Sequence, residues 1–163
     1  TKTLPAGRIE QLKLAVFSCS NRPFGHFNAY AHAAARDDID AVIHLGDYIY
    51  EYMGGVYPAV AMPGREILPA DEIIMIDDYR QRYASYRADP ALQAIHARFP
   101  MIAIWDDHEF ANDTWKGGAE NHQPAEGVWS LRRDAAIKAH REWLRPGSPA
   151  RWRPASRPAS AGN

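Results

Sequence analysis

Three short apolar segments, each ending abruptly at polar residues, constrain the fold of this 163-residue chain more than any other feature. The segments are LKLAVFS at 12–18, DIDAVIHLG at 38–46 and MIAIW at 101–105. An alanine-rich stretch with apolar residues at helical spacing begins at His26 and separates the first two. Because this alternation is typical of buried parallel strands, we predict a βαβ unit with a right-handed crossover, a third buried strand and an α/β fold.

The rest of the chain predicts further helices and a long loop. Residues 52–69 are rich in Gly, Pro and Met without periodicity, which indicates a loop of the kind that serves a site. Asp71 is expected to cap the next helix, a short helix is expected to start at residues 89–90, and a last one to span about 126–144. On the helix after Asp71, the predicted charged face comprises Arg80, Arg82 and Arg87.

The composition shifts at residue 145. Residues 145–163 are dominated by Arg, Pro, Ala and Ser, so we predict a disordered tail after a domain at 1–144. The first residues lack the basic-then-apolar pattern of a signal peptide, and no apolar run reaches the roughly 18–20 residues of a membrane span.

The charge balance excludes one class of partner. Nineteen Lys and Arg against twenty Asp and Glu give a formal net charge of −1, so no bulk field attracts nucleic acid, and none is expected as a partner. Cys19 is the single cysteine, which rules out an internal disulfide and leaves an inert, a reactive or a ligand role.

Potential metal ligands follow all three apolar segments. Ligands collect beyond the carboxyl ends of strands in open α/β sheets, and these ends carry Cys19, Asp47 with Tyr50, and Asp107 with His108. Tyrosinate is a hard, anionic donor that suits a trivalent ion such as Fe(III). Asp106 and Asp107 are adjacent, so only one can face the site, and we choose Asp107 because it precedes the histidine.

Each of these residues also has a structural interpretation. Cys19 could be a small buried hydrophobe, and Tyr50 could serve packing alone. Asn112 and Asp113 suit a loop cap as well as a site pair, and His122 on the glycine-rich loop is a weaker candidate.

At these positions the sequence resembles a known family, the PhoD-like alkaline phosphatases and phosphodiesterases of the calcineurin-like metallophosphoesterase superfamily. The resemblance rests on FSCSN at 17–21, HLGDYIYE at 44–51, YRQRY at 79–83 and WDDHE at 105–109 with the Asn-Asp pair that follows. It covers most of residues 1–144 and implies a partial metallophosphoesterase-like sandwich with flanking helices, incomplete relative to the family.

The resemblance also implies a chemistry. Fe(III) and Ca(II) would activate a water that attacks a phosphate ester. Cys19 would be a thiolate ligand, Asp47 the bridging carboxylate and Tyr50 the phenolate on iron. Asp107 would be a further ligand, and His108 the catalytic imidazole. A periplasmic or secreted location is implied for the parent protein.

Two functions remain open from the sequence. The first is a metal-dependent hydrolase for phosphomonoesters or phosphodiesters. The alternative is a truncated, non-catalytic fragment, because the family's later motifs, a further Asp or His and a Gly-His-x-His pair, do not follow the last predicted helix.

Overall fold

The computed structural model of the protein describes residues 8–144. Its strands are β1 (Leu14–Phe17), β2 (Ala41–His44) and β3 (Met101–Ala103). Its α-helices are α1 (Asn28–Ala34), α2 (Ile76–Arg87), α3 (Pro90–Arg98) and α4 (Trp129–Leu144). Short 3₁₀ turns lie at Arg22–Phe24 and Pro124–Glu126. The predicted tail at 145–163 lies outside the described residues.

The strands form one parallel sheet in the order β1-β2-β3, which confirms the predicted α/β class. Leu14 pairs with Ala41 in the first ladder, and Val42 pairs with Met101 in the second. Because the strands run the same way in adjacent positions, their carboxyl ends meet at one edge of the sheet.

The prediction that all three strands are buried is wrong for β1 and β3. Val42 on the central strand is fully buried, whereas Val16 and Ile102 on the outer strands are each about half exposed. Those two lie in register with Ile43, so they share one sheet face. The opposite face carries Phe17, whose ring packs edge-on against Tyr30 of α1 at 4.6 Å. The apolar composition therefore predicted the strands correctly. Their burial was overestimated because the described residues cover only one face of the sheet.

The observed start of α3 agrees with the prediction, whereas that of α2 does not. The third helix, α3, starts at Pro90 as expected, and Asp89 caps it, since its carboxylate accepts hydrogen bonds from the N–H groups of Ala91 and Leu92. Asp71 does not cap α2, which begins only at Ile76. The carboxylate of Asp78 accepts the N–H of Met75 at 2.8 Å and fixes the later start.

Arg82 is fully buried, so the predicted charged face of α2 is wrong at this position. Its guanidinium donates to the backbone carbonyls of Tyr50, Tyr52, Leu68, Pro69 and Asp71. The physical reason is that the 52–69 loop folds back on itself and brings these five carbonyl groups, at and next to its two ends, around one point on α2. A buried cation with five acceptors satisfies them and joins both ends of that loop to α2.

The last helix starts later than predicted. Gly127 has a φ of 99° and ends the 3₁₀ turn, and α4 starts at Trp129 instead of near residue 126. Trp143 of α4 stacks on Tyr83 of α2 at 6.0 Å, which packs these two helices together. Among the described residues, none of the helices has the length and apolar character needed to cross a membrane.

Candidate functional site

The turns that follow β1 and β2 hold two candidate ligands in left-handed backbone conformations. Cys19 has a φ of 56° and Asp47 a φ of 53°. The two turns are joined because Cys19 N–H donates to the Gly46 carbonyl at 3.1 Å and Ser20 N–H donates to the Asp47 carbonyl at 2.9 Å. Non-glycine residues with positive φ are uncommon and concentrate at functional sites.

Gly46 allows the second and third strand ends to approach each other. Its φ is 105°, and a Cβ added to it would lie 2.4 Å from the backbone nitrogen of Asp106. Any side chain here would push the Asp47 turn away from the polar residues after β3. Glycine is therefore a requirement of the site geometry.

The structure brings Asp47, Asp107 and His108 together. Each offers one ligand atom, and these atoms all lie within 4.8 Å of one another. Asp47 is buried, whereas Asp107 and His108 are partly exposed, so the group faces solvent on one side. We call these three residues the ligand cluster. Carboxylate oxygen and imidazole nitrogen form a donor set for a divalent or trivalent cation.

One oxygen of Asp47 has no partner within the described residues. Its Oδ2 accepts a hydrogen bond from the Tyr50 hydroxyl at 3.2 Å, but Oδ1 is buried without any hydrogen bond. Burial raises the pKa of Asp47, although the nearby His108 acts in the opposite direction. A buried carboxylate oxygen without a partner is costly unless a cation is bound. The observation therefore fits a metal ion at Asp47.

Tyr50 and Cys19 flank Asp47. Burial and then the negative charge of Asp47 raise the pKa of Tyr50, so its hydroxyl stays protonated without a cation. The Cys19 thiol is exposed, and Asp47 and Tyr50 lie close enough to influence its pKa. Partial desolvation and the Asp47 carboxylate raise the pKa of this thiol. Cys19 does not belong to the ligand cluster, whereas the Tyr50 hydroxyl is in direct contact with its Asp47 carboxylate.

Glu51 orients His108, a role that the sequence did not reveal. Its fully buried carboxylate accepts from Nδ1 of His108 at 2.8 Å, from the Asn112 N–H at 2.7 Å and from the Asn121 amide at 2.9 Å. Desolvation lowers the pKa of His108, but the hydrogen bond and charge of Glu51 outweigh it, so this pKa is raised overall. Since Nδ1 is engaged, Nε2 is the nitrogen left for a ligand or a transferable proton.

Glu109 is a second buried carboxylate that the sequence did not reveal. It accepts the backbone N–H groups of Asp47 at 3.1 Å, Tyr48 at 2.6 Å and Asp106 at 2.8 Å. Burial raises the pKa of Glu109 to about 7. Its carboxylate thus joins the turn after β2 to the turn after β3, and it sets the relative position of the two carboxylates in the ligand cluster.

His44 supports the same turns from the opposite side. Its Nδ1 accepts the Gly46 N–H at 3.3 Å, and Nε2 lies 2.9 Å from the Tyr30 hydroxyl and 3.0 Å from the Ser20 hydroxyl. Burial lowers the pKa of His44 to about 4. The neutral imidazole therefore connects the end of β2 to α1 and to the turn that carries Cys19.

The remaining candidates lie at the edge of the site or away from it. The Asp113 N–H donates to the Asp107 carboxylate at 2.6 Å, so Asp113 supports the cluster through its backbone. The Asn112 side chain donates to Glu120 at 3.0 Å. His122 is paired with Glu126 at 3.3 Å and does not belong to the cluster.

Comparison with known proteins gives three matches. Residues 14–161 match the family model described as PhoD-like phosphatase. The chain is 43% identical over 146 residues to alkaline phosphatase D of Bacillus subtilis (strain 168), a match that covers 88% of this chain and 24% of that protein. A solved structure described as "Structure of PhoD" matches with a TM-score of 0.74 and 39% identity, covering 85% of this chain and 26% of that one. The chain thus spans about a quarter of the length of these relatives.

Proposed function

The chain belongs to the PhoD-like phosphatase family, and on this premise we propose that it acts in the metal-dependent hydrolysis of phosphate esters. The reaction centre is the ligand cluster of Asp47, Asp107 and His108, with Cys19 and Tyr50 beside it. The substrate is a phosphomonoester or a phosphodiester.

The unpartnered Oδ1 of Asp47 is the observation that carries this proposal. Two carboxylates beside an open face would repel a phosphate anion at short range. A phosphate ester can approach them only when cations neutralise the cluster. The carboxylates that repel an anion in the metal-free site would therefore bind the cations that an anionic substrate needs.

The roles of the metal-binding residues follow from their donor atoms. Asp47 has two oxygens and would bridge two cations, with Asp107 contributing a further oxygen. Tyr50 and Cys19 would supply anionic donors to the ion of higher charge, for which we propose Fe(III), with Ca(II) at the oxygen-rich position. When bound, the ions polarise the phosphoryl oxygens and lower the pKa of a water that attacks phosphorus.

His108 acts as the general acid that protonates the leaving group. Glu51 holds Nδ1 and raises the pKa of the ring, so His108 stays protonated to higher pH than an ordinary histidine. It then donates the Nε2 proton to the ester oxygen as the phosphorus–oxygen bond breaks. The Tyr50 ring lies against the imidazole with centroids 4.3 Å apart and limits its rotation.

Family membership also supports an extracytoplasmic location for the full protein, which is part of this proposal. Cell fractionation of the native host tests it, and activity confined to the cytoplasm would overturn it.

Hydrolysis of 4-nitrophenyl phosphate and bis(4-nitrophenyl) phosphate tests the function. The metal-loaded protein should hydrolyse at least one of them, and His108→Gln should lower kcat by roughly 100-fold, within the usual range for a general acid. His32→Gln is the matched control, since His32 is an exposed residue of α1. Equal turnover by the two variants would remove His108 from the mechanism.

A further inference from the structure

A cavity of about 460 Å³ opens directly beside the ligand cluster. Cys19 and Tyr50 belong to its lining, and Phe24, Phe27 and Tyr57 supply its other large apolar side chains. We propose that this cavity, defined by Phe24, Phe27 and Tyr57 and called the aromatic subsite, binds an uncharged planar group of the phosphate ester. The inference rests on the proposed function, because the phosphoryl group of that ester would lie at the ligand cluster.

A continuous row of rings connects the ligand cluster to this cavity. The centroid of Tyr50 lies 4.3 Å from that of His108 and 5.8 Å from that of Tyr57. Tyr57 in turn lies 5.0 Å from Phe24 in an edge-to-face arrangement. The Tyr50–Tyr57 and Tyr57–Phe24 spacings lie within the range of favourable aromatic pairs, so a planar group attached to a phosphate at the cluster can continue the row.

The outer rings of the row are exposed. Phe24 is 55% exposed and Tyr57 is 47% exposed, so apolar ring surface remains in contact with water. Exposed aromatic surface adjoining a site commonly marks a ligand contact. Covering these ring faces with a planar group removes apolar area from water and favours binding.

The backbone beside the exposed rings is held in place before any ligand binds. Asn21 donates through its amide nitrogen to the Tyr57 carbonyl at 3.3 Å and accepts from the buried Tyr86 hydroxyl at 3.1 Å. The Met62 N–H donates to the Pro23 carbonyl at 2.9 Å, beside Phe24. Because both backbone segments are fixed, little ordering cost remains when a ligand binds.

The charge of the lining defines the chemical class of the group. None of the described residues that line this cavity is Asp, Glu, Lys or Arg. A second cavity of about 400 Å³, on the Asp107 side of the cluster, is lined by both acidic and basic side chains as well as by aromatic rings; its charged lining residues are Asp106, Asp107, Lys116 and Arg133. Charged side chains therefore line the cavity on the Asp107 side, whereas the aromatic subsite has no Asp, Glu, Lys or Arg in its lining and suits a neutral planar group.

Calorimetric binding of two non-hydrolysable dianions tests the inference. Phenylphosphonate and methylphosphonate carry the same charge and differ in the planar group. We expect the protein supplied with Fe(III) and Ca(II) to bind phenylphosphonate about tenfold more tightly than methylphosphonate. Phe24→Ala should reduce this preference to less than threefold, with the affinity for methylphosphonate unchanged. Tyr57→Leu should act in the same way and serves as the second variant.

Leu131→Ala is the matched control, because Leu131 is 68% exposed on α4 and lines neither cavity. It should leave the preference at about tenfold. Equal affinities of the unaltered protein for the two phosphonates would overturn the subsite while leaving the proposed function intact. A preference that persists in Phe24→Ala and Tyr57→Leu would also overturn it. Failure of both phosphonates to bind would contradict the proposed function and the subsite together.

Discussion

The carboxylate of Glu51 accepts a hydrogen bond from Nδ1 of His108 at 2.8 Å, across 57 positions of sequence. Glu51 is fully buried and receives two further hydrogen bonds, so it is held in one orientation. The pair fixes which nitrogen of His108 can act at the ligand cluster. A buried carboxylate is costly in free energy, and here it provides a histidine of defined orientation and raised pKa.

Replacing Glu51 with Gln should lower the pKa of His108, because the negative charge that raises it is lost while the amide oxygen can still accept the Nδ1 hydrogen bond. Turnover should fall by roughly 10- to 100-fold, the usual cost of removing the partner of an active-site histidine. NMR titration of the histidine ring measures the first effect, and steady-state kinetics measures the second. Glu10→Gln, at an exposed position, is the control. An unchanged His108 titration in Glu51→Gln would show that the contact has no electrostatic role.

Glu109→Ala should strongly destabilise the protein, because three backbone N–H groups lose their acceptor in a buried site. We expect the free energy of unfolding to fall by about 3–5 kcal/mol, since each unsatisfied donor costs about 1–3 kcal/mol. Urea denaturation measures this loss. Glu120→Ala removes an exposed carboxylate that accepts one side-chain hydrogen bond, and it should cost less than about 1 kcal/mol. Similar losses for the two variants would disprove the role of Glu109 in joining the strand ends.

Asp47→Asn should stabilise the metal-free protein. Burial raises the pKa of Asp47, so the folded state disfavours its charged form and loses stability as the pH rises through that pKa. Removing the charge should increase the free energy of unfolding at pH 8 by about 1 kcal/mol. At pH 3 the two proteins should differ less, because the Asp47 carboxyl group is then protonated and neutral like the asparagine amide. Reduced stability of Asp47→Asn at pH 8 would contradict this account.

His44 should make folding sensitive to acid. Its pKa is lowered from 6.5 to about 4 in the folded protein, so the unfolded chain binds more protons between these values. The contribution of His44 to stability is therefore present above pH 6.5 and lost as the pH falls to about 4, with a slope approaching 1.4 kcal/mol per pH unit. His44→Gln should show a smaller slope in this window, measured by denaturation at several pH values. Identical slopes would contradict the assignment of a neutral buried imidazole.

The sequence predicted that candidate residues after separate strands lie together, for a geometric reason. Parallel strands in adjacent positions place their carboxyl ends together, so residues after β2 and β3 had to meet. Asp47, Asp107 and His108 do lie together. The metal-binding roles of Asp47 and Asp107 stay predictions, as do those of Cys19 and Tyr50. The catalytic role of His108 also stays a prediction.

The supporting carboxylates could not be predicted from local patterns. Glu51 and Glu109 are each adjacent to motif residues in the sequence, but their partners depend on how distant turns fold together. Arg82 shows the same limit, because helical spacing suggested a solvent-exposed face, whereas the loop carbonyls that bury it come from another part of the chain. A charged residue within an otherwise apolar stretch, as at Glu51, is the available signal for such a role.

Metal-dependent turnover by Asp47→Asn tests the central claim most directly. Phosphate ester hydrolysis and bound metal are measured in the same samples of the unaltered protein, of Asp47→Asn and of the exposed control Asp71→Asn. We predict that chelation abolishes hydrolysis by the unaltered protein and that added metal restores it. Asp71→Asn should behave identically, whereas Asp47→Asn should retain neither metal nor turnover. Hydrolysis that persists after chelation, or in Asp47→Asn, would contradict the account. Failure of the metal-loaded unaltered protein to hydrolyse the ester would also contradict it.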